Sequence, residues 1–325
     1  MYIAIVDCGT NTFNLLIAQA KPEGWSVVFE NKLSVKLGAG GFETKTIVPS
    51  RFIRGLDAIN AHHENIKNFN CKRVFAFATS AVRESQNGRE FIKAAKDLTG
   101  IEIELIDGER EAELIYRGIV QTIDLGAEPS LVMDIGGGST EFIIANNKEI
   151  FWKKSFLLGV SRLFDQLQPS DKMRHEEMIK LKSLLTKELE PLREALKQYK
   201  CKWLVGSSGS FDTLLSLFRH GAKQADTHPQ LANDILPGAF PTIHNWLMNS
   251  TYEERLMHPA IPSIRAEFMP LASFMVKEVM EMQHFERLIH SQYALKEGAI
   301  MSACEGINWE EKQIEKEQPE DYLEE

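Results

Sequence analysis

Two stretches of the chain carry one order of residues. Residues 3–18 read IAIVDCGTNTFNLLIA, and residues 130–145 read SLVMDIGGGSTEFIIA. At one constant offset Asp7 corresponds to Asp134, Gly9 to Gly136, Thr12 to Ser139 and Ala18 to Ala145. An apolar run broken by Asp, Gly, Asn and Ser and then resumed predicts strand–turn–strand. The chain is therefore expected to fold as two α/β halves, each opening on such a hairpin. In these turns glycine lets the backbone approach an anion closely, so that N–H groups point at it. Asp at the end of the first strand can hold a cation or a water. Two such turns facing each other would grip a phosphate chain from both sides. Taken singly, each is an ordinary tight hairpin. The repeated order is what favours a phosphate site.

The 325 residues, 43% hydrophobic and 26% charged, suffice for two domains with their own cores. No apolar run is long enough to cross a membrane, and the N-terminus enters a strand without a charged leader. Four scattered cysteines (Cys8, Cys71, Cys201, Cys304) form no CxxC, which suits reduced thiols in a cytoplasmic protein and argues against zinc. The net charge of −9 is concentrated in residues 310–325, where eight residues are acidic and two are lysines. That tail is expected to be a flexible, solvated end. No basic stripe with interleaved aromatics is present, so nucleic acid is not an expected partner.

Along the chain, 25–38 alternates like a third strand and enters a glycine-rich loop holding Lys36 and Lys45. Lys36 reads as a phosphate contact or as a solvated lysine. Residues 49–69 read as a helix behind Pro49. In 71–100, a strand RVFAFAT ends at ATSAVR, which places Ser80 and Arg83 just past a strand C-terminus, where ligands of open α/β sheets collect. Arg83 is expected to fork onto phosphate oxygens, or else to be a surface helix residue. In 101–123, Glu109, Glu111 and Glu113 crowd a first helical turn, where acids favour the macrodipole. Glu111 projects differently from the other two, and a glutamate aimed into a phosphate cleft could take a proton from water.

A polar turn at 124–129 marks the expected boundary. Residues 172–200 are helical, divided or kinked at Pro191. Residues 201–221 repeat the theme, a strand WLVG followed by Ser207, Ser208, Gly209 and Ser210 opening a helix; Ser210 or Asp212 could equally be an N-cap. Proline-rich loops around one helix fill 225–262, and a Met-rich amphipathic helix spans 264–285. A strand and a last helix close the fold before the tail. There is neither GxxxxGK[ST] nor GxGxxG with a downstream acid, so neither a P-loop nor a dinucleotide fold is expected.

In this order DCGTNT, ATSAVR, DGEREAELI, DIGGGSTEF, VGSSGS and ALKEG resemble the exopolyphosphatase / guanosine pentaphosphate phosphohydrolase family, over about residues 1–307. The pair ATSAVR and GEREAELI separates that family from sugar kinases and actin-like ATPases. The chain resembles the short, two-domain form. The resemblance implies an α/β fold of duplicated ribonuclease H-like domains, in the actin-like, sugar kinase superfamily, with an interdomain cleft. The first domain is expected over 1–124, joined by the last helix at about 293–309, and the second over 125–292.

The resemblance further implies Mg²⁺-dependent hydrolysis of the terminal phosphoanhydride of inorganic polyphosphate or guanosine pentaphosphate, the penta- or tetraphosphate being a possible ligand. Its catalytic glutamate falls on Glu111 and its phosphate-binding arginine on Arg83. The metal-site acids fall on Asp134 and Glu141, with Asp7. The phosphate-binding set is Asp7, Gly9, Thr10, Asn11, Thr12, Lys36, Ser80, Gly136, Gly137, Gly138, Ser139, Gly206, Ser208 and Gly209. Departures are Cys8 for an aliphatic, Lys36 and Lys296 for arginines, and Gln292-Tyr293 for Asp-Gly before ALKEG. A non-catalytic sensor of the same polyanions and a small-molecule kinase are the competing readings. A homodimer is left open by the size of the chain, with the Met-rich helix its one candidate face.

Overall fold

A computed structural model describes residues 1–222 and 230–306. The tail expected to be flexible, and the last residues of the 293–309 helix, lie outside the described residues. The first half runs β1 (Tyr2–Cys8), β2 (Thr12–Lys21), β3 (Gly24–Ser34), α1 (Pro49–Asn68), β4 (Arg73–Ala78), the short α2 (Ser80–Arg83), α3 (Gly88–Thr99), β5 (Ile103–Leu105) and α4 (Gly108–Ile119). The second half runs β6 (Ser130–Ile135), β7 (Thr140–Ala145), β8 (Ile150–Phe156), α5 (Val160–Leu167), α6 (His175–Glu188), α7 (Glu190–Gln198), β9 (Trp203–Ser207), α8 (Ser208–Gly221), β10 (Ala232–Ile235), α9 (Phe240–Asn249), α10 (Tyr252–Met257), α11 (Met269–Met280), β11 (Arg287–Ser291) and α12 (Leu295–Glu305).

The two sheets share one topology. The first has the order β3-β2-β1-β4-β5, and the second β10-β11-β9-β6-β7-β8. In each, an antiparallel meander (β1–β3, β6–β8) is extended on its first strand by parallel strands. Read from the meander edge, β8-β7-β6-β9-β11 repeats β3-β2-β1-β4-β5, and β10 is an added antiparallel edge. This is the duplicated ribonuclease H-like fold. The central strands carry continuous apolar runs because both faces are covered: every residue of β6 and β7 is buried. Each fully buried Leu, Ile or Val there contributes about 1.5–3 kcal/mol.

Helices α4 and α12 pack between the two sheets. Ile3 and Ile5 of the first sheet and Val132 and Ile143 of the second share one apolar cluster with Ala112, Ile115, Ala299 and Ile300. The two helices touch backbone to backbone. A Cβ on Gly298 would lie 1.8 Å from the Leu114 carbonyl oxygen, and one on Gly118 would lie 2.1 Å from that of Ala294. Small residues at the crossing are what let α12, from the end of the chain, rest on a helix of its first half.

Pro191 divides the helical stretch as its missing N–H requires: α6 ends at Glu188, and α7 begins at Glu190 with the proline in its first turn. The Met-rich helix differs from its expectation. It begins at Met269, with Pro270 in the first turn, and ten of its twelve residues are buried, so it is a core helix and not an amphipathic one. Its apparent polar face is supplied by Lys277 and Glu278, and Glu278 pairs with Lys182 of α6. Strand β10 and helix α10 were not expected within 225–262. Both are short; β10 is held by β11, and α10 by its own buried Arg255, which bonds the carbonyls of Ser250 and Ala266 and the Asp171 carboxylate.

Candidate active site

The two Asp hairpins have one local geometry. In the first turn Gly9 N donates to the Thr12 carbonyl at 3.1 Å, and in the second Gly136 N donates to that of Ser139 at 3.0 Å. The turns meet face to face. A Cβ on Gly137 would lie 2.9 Å from Asn11 Nδ2, and one on Gly138 would lie 2.7 Å from Thr10 Oγ1 and 2.6 Å from Ser80 Oγ. Only glycine permits this approach. Ser161 of α5 ties the turns together by donating to Asn11 Oδ1 at 2.9 Å. Among the described residues two buried donors at the junction, Asn11 Nδ2 and Ser80 Oγ, have no partner. A buried donor without an acceptor is costly, and an oxyanion between the turns would satisfy Asn11 Nδ2, whose residue lines the cavity.

A cavity of about 670 Å³ opens from this junction between the halves. Asp7, Gly9, Thr10, Asn11, Thr12 and Glu111 line it from the first half, and Asp134, Gly136, Gly137, Gly138, Ser139, Glu141, Ser208 and Gly209 from the second. Asp134 and Glu141 are cross-strand partners on β6 and β7, so their side chains share a face. Helix α8 opens in the wall beside them. Ser207 Oγ and Ser208 Oγ both donate to Asp134 Oδ2, at 2.6 and 2.7 Å. Ser208 holds the left-handed backbone (φ 66°), an unusual state for a serine, which its bond to Asp134 helps to offset. Neither Ser210 nor Asp212 caps α8. Its N-cap is Ser207, whose hydroxyl is spent on Asp134, so no side chain caps the first N–H groups.

Glu111 reaches the cleft because α4 starts hard against β8. A Cβ on Gly108 would lie 2.2 Å from that of Ser155. Asp107 caps the helix by accepting from Arg110 N at 2.8 Å. Glu113 faces outward to Arg110 and Lys153, while Glu111 is buried. Arg83 Nη1 donates to Glu111 Oε2 at 3.1 Å and to the Ile106 carbonyl at 2.9 Å, and its Nε contacts Glu84.

Four carboxyl groups converge here, and their protons are held tightly. Burial pushes Glu111 well above the usual carboxylate range, Glu141 adds to this, and Arg83 opposes it. Burial, with repulsion from Asp134, lifts Glu141 to about 7, although Ser155 donates to it at 2.6 Å. Burial and then the Asp134 charge lift Asp7 to about 6, against a bond from Asn14. Burial also raises Asp134, opposed by its two serines. Buried acids that repel one another call for a cation. Yet among the described residues no group of three or more His, Cys, Asp or Glu side chains stands close enough to hold a metal alone.

Four expected site residues do not line the cavity, and the first, Ser80, is buried against Gly138. Lys36 does not line the cavity: its Nζ is 3.7 Å from Glu267 and lies over the Phe268 ring. Its backbone is what serves the site, since Val35 N and Lys36 N both donate to the Asn11 carbonyl and brace the first turn. Gly206 is a packing residue inside β9, where a Cβ would lie 1.9 Å from the Phe211 ring. Arg83 does not line the cavity; its guanidinium is engaged by Glu111, Ile106 and Glu84. Residues that sequence reasoning missed include Asn14, Lys32, Asp212, Arg265, His290 and Lys296, all lining the cavity. Asn14 and Lys32 did leave a signal, as polar breaks in strands on the face that Asp7 defines. Arg265 left none.

The model of the Ppx/GppA phosphatase family matches residues 16–305. The crystal structure of an exopolyphosphatase from Cytophaga hutchinsonii ATCC 33406 is 33% identical, with a TM-score of 0.91 over 95% of this chain and 99% of that one. Exopolyphosphatase 2 of Mycobacterium tuberculosis (strain CDC 1551 / Oshkosh) is 28% identical over 317 residues, 92% of this chain and 98% of the relative. The Aquifex aeolicus PPX-GPPA enzyme, 24% identical with a TM-score of 0.77 over 93% of this chain and 99% of that one, shares the fold. The family match takes in Glu111, Asp134 and Glu141, and on it the chain belongs to the Ppx/GppA phosphatase family.

Proposed function

We propose that the chain is a Mg²⁺-dependent hydrolase that removes the terminal phosphate of inorganic polyphosphate or guanosine pentaphosphate. The observation that carries this reading is the position of Glu111: a buried carboxylate on the wall of a cleft lined by two facing glycine-rich turns.

The terminal phosphoryl group is taken at the junction of the turns. Backbone N–H groups and Asn11 Nδ2 supply donors to its oxygens. Glu111 orients a water and accepts its proton as the new P–O bond forms and the bond to the bridging oxygen breaks. The products are orthophosphate and a chain one phosphate shorter. Arg83 fixes the glutamate's orientation and favours its ionised form. Such proton transfer typically contributes about 10²–10⁴-fold.

The donor set fits Mg²⁺, which is held by one or two carboxylates together with substrate phosphates and water and needs no complete protein cage. Asp134 and Glu141, with Asp7, would hold it. Bound there, the ion would neutralise phosphate oxygens and offset the burial and mutual repulsion that raise these acids. The test is orthophosphate release from each polyanion with Mg²⁺ and with a chelator. Release that needs Mg²⁺ supports the reading. No release from either substrate refutes it.

A further inference from the structure

The second Asp turn is held from behind by the start of α5. Val160 N donates to the Gly136 carbonyl at 3.0 Å, and Ser161 N and Arg162 N both donate to that of Gly137, at 2.9 and 3.1 Å. Among the described residues the next carbonyl, that of Gly138, takes no backbone donor. A side chain serves it instead: Arg162 Nε donates to it at 2.8 Å.

In a planar trans peptide the N–H points opposite the C=O of the same unit. With three successive carbonyls drawn to α5, the N–H groups of Gly137, Gly138 and Ser139 are turned the other way, and these three residues line the cleft. Among the described residues none of the three N–H groups has an acceptor. Successive free N–H groups of this kind make an anion-binding concavity. The Gly138 carbonyl and the Ser139 N–H belong to one peptide, so the donor that Ser139 offers is aimed by Arg162.

The guanidinium is not there to pair a carboxylate. Among the described residues it forms no ion pair, and its Nη2 is buried with no partner. Glu84, whose charge it feels, is bonded to Arg83 Nε at 3.3 Å. The group lies over the Phe42 ring, 4.6 Å from its centre, on the glycine-rich loop of the first half. That loop is fixed to the same helix, since Gly40 N donates to Asp165 Oδ2 at 2.9 Å. Phe42 thus holds the plane of the guanidinium, and the plane sets the direction of Nε–H. Arg162 does not itself line the cleft.

We propose that Arg162 is a positioning residue for phosphoryl transfer: by holding the Gly138 carbonyl it aims the Ser139 N–H at the oxygen on which charge develops. This rests on the phosphohydrolase reading and deepens it by a residue that touches no substrate.

The experiment compares Arg162→Met with Arg162→Gln. Both remove the guanidinium from Phe42. The Gln amide nitrogen stands at the same place along the side chain as Nε and can donate to Gly138, whereas Met puts a methyl group there. The first readout involves no turnover. Protein labelled with ¹³C-carbonyl glycine and ¹⁵N-serine shows its three Gly–Ser peptides by NMR, and Ser139→Ala assigns the one at 138–139. A ¹⁵N-glycine sample follows Gly137 and Gly138. Each is titrated with inorganic phosphate. In wild type and Arg162→Gln, phosphate should move the Ser139 N–H downfield. In Arg162→Met that shift should be largely lost, while Gly137 and Gly138, aimed by the backbone of α5, keep theirs. The second readout is polyphosphate hydrolysis. In Arg162→Met kcat should fall by about tenfold or more, with KM within about threefold of wild type, and Arg162→Gln should recover most of the loss. A Ser139 N–H that phosphate leaves unmoved in wild type, an undiminished shift in Arg162→Met, or an Arg162→Gln protein as impaired as Arg162→Met overturns the proposal. Should Arg162→Met not fold, Arg162→Gln decides alone: a Ser139 shift like that of wild type supports the proposal, and its loss refutes it. A wild-type protein with the Arg162-dependent shift that releases no phosphate from either polyanion would refute the hydrolase reading and leave the aiming of Ser139 standing.

Discussion

Arg83 Nη1 lies 3.1 Å from Glu111 Oε2, and this contact joins the two motifs between the hairpins into one unit. Burial and the Glu141 charge drive Glu111 towards its protonated form, and Arg83 is the group that opposes them. The proposed role of Glu111 as a base requires it to be ionised, which Arg83 favours.

The pH–rate profile therefore reports on Arg83. In the Arg83→Met protein Glu111 binds its proton more tightly, and the acid limb of kcat/KM moves to higher pH. The expected displacement is about 1 unit or more, the usual effect of an adjacent opposite charge. Arg83→Lys keeps the charge without the fork and should shift the limb less. The profile is measured with saturating Mg²⁺. An unmoved limb in Arg83→Met would mean that another group sets it.

Asp7 gives a stability test. Its folded-state value of about 6 lies above the ordinary 3.8, so the folded chain binds more protons than the unfolded chain between those values. Stability from this group is thus highest at low pH and falls as pH rises through that window. Asp7→Asn mimics the protonated acid. Its Tm relative to wild type should be near zero at about pH 4 and rise by a few degrees at neutral pH without added cation. Thermal melts of both proteins across this range check the sign. A difference that shrinks with rising pH contradicts the electrostatic account.

Gly159 tests whether the second turn must keep its place. A Cβ there would lie 2.3 Å from the backbone of Gly137, and backbone cannot yield without moving the turn. Gly159→Ala should cost about 1–3 kcal/mol in stability, as overpacking does. A shift of about 1 Å in a catalytic turn costs roughly 10²-fold, so kcat/KM should fall by that order. Gly238→Ala, where a Cβ meets nothing within 4 Å, is the control. Denaturant melts and steady-state kinetics of the two variants separate folding from positioning.

The parts of this site that were legible in the sequence are those encoded locally. The Asp–small-residue order fixes a turn within six residues, and its repetition gave both the duplicated fold and the facing cradles. Glu111 was legible because it projects differently from Glu109 and Glu113 and because the resemblance to the family falls on it; in the structure the other two turn to Lys153 and Arg110. What escaped depends on pairs far apart in the chain. Lys36 was expected at phosphate, but Glu267 of the other half draws its ammonium away. The glycine pattern of VGSSGS does not say that Gly206 yields to Phe211 while Gly209 yields to Arg265. The place of Arg265 on the cavity wall requires α8 and the segment before α11 to meet at the cleft, and no local pattern records that meeting. The buried face of α11 was misread for the same reason: the partners of Lys277 and Glu278 decide whether their side of the helix is surface.

The central claim is that Glu111 is the base for water. The most direct measurement is orthophosphate release by Glu111→Gln at saturating polyphosphate and Mg²⁺, alongside equilibrium binding of the same substrate. The amide keeps the shape and can still accept the Arg83 bond, but it cannot take a proton. Release should fall by about 10²–10⁴-fold while binding stays within a few-fold of wild type. Turnover near that of wild type would contradict the account.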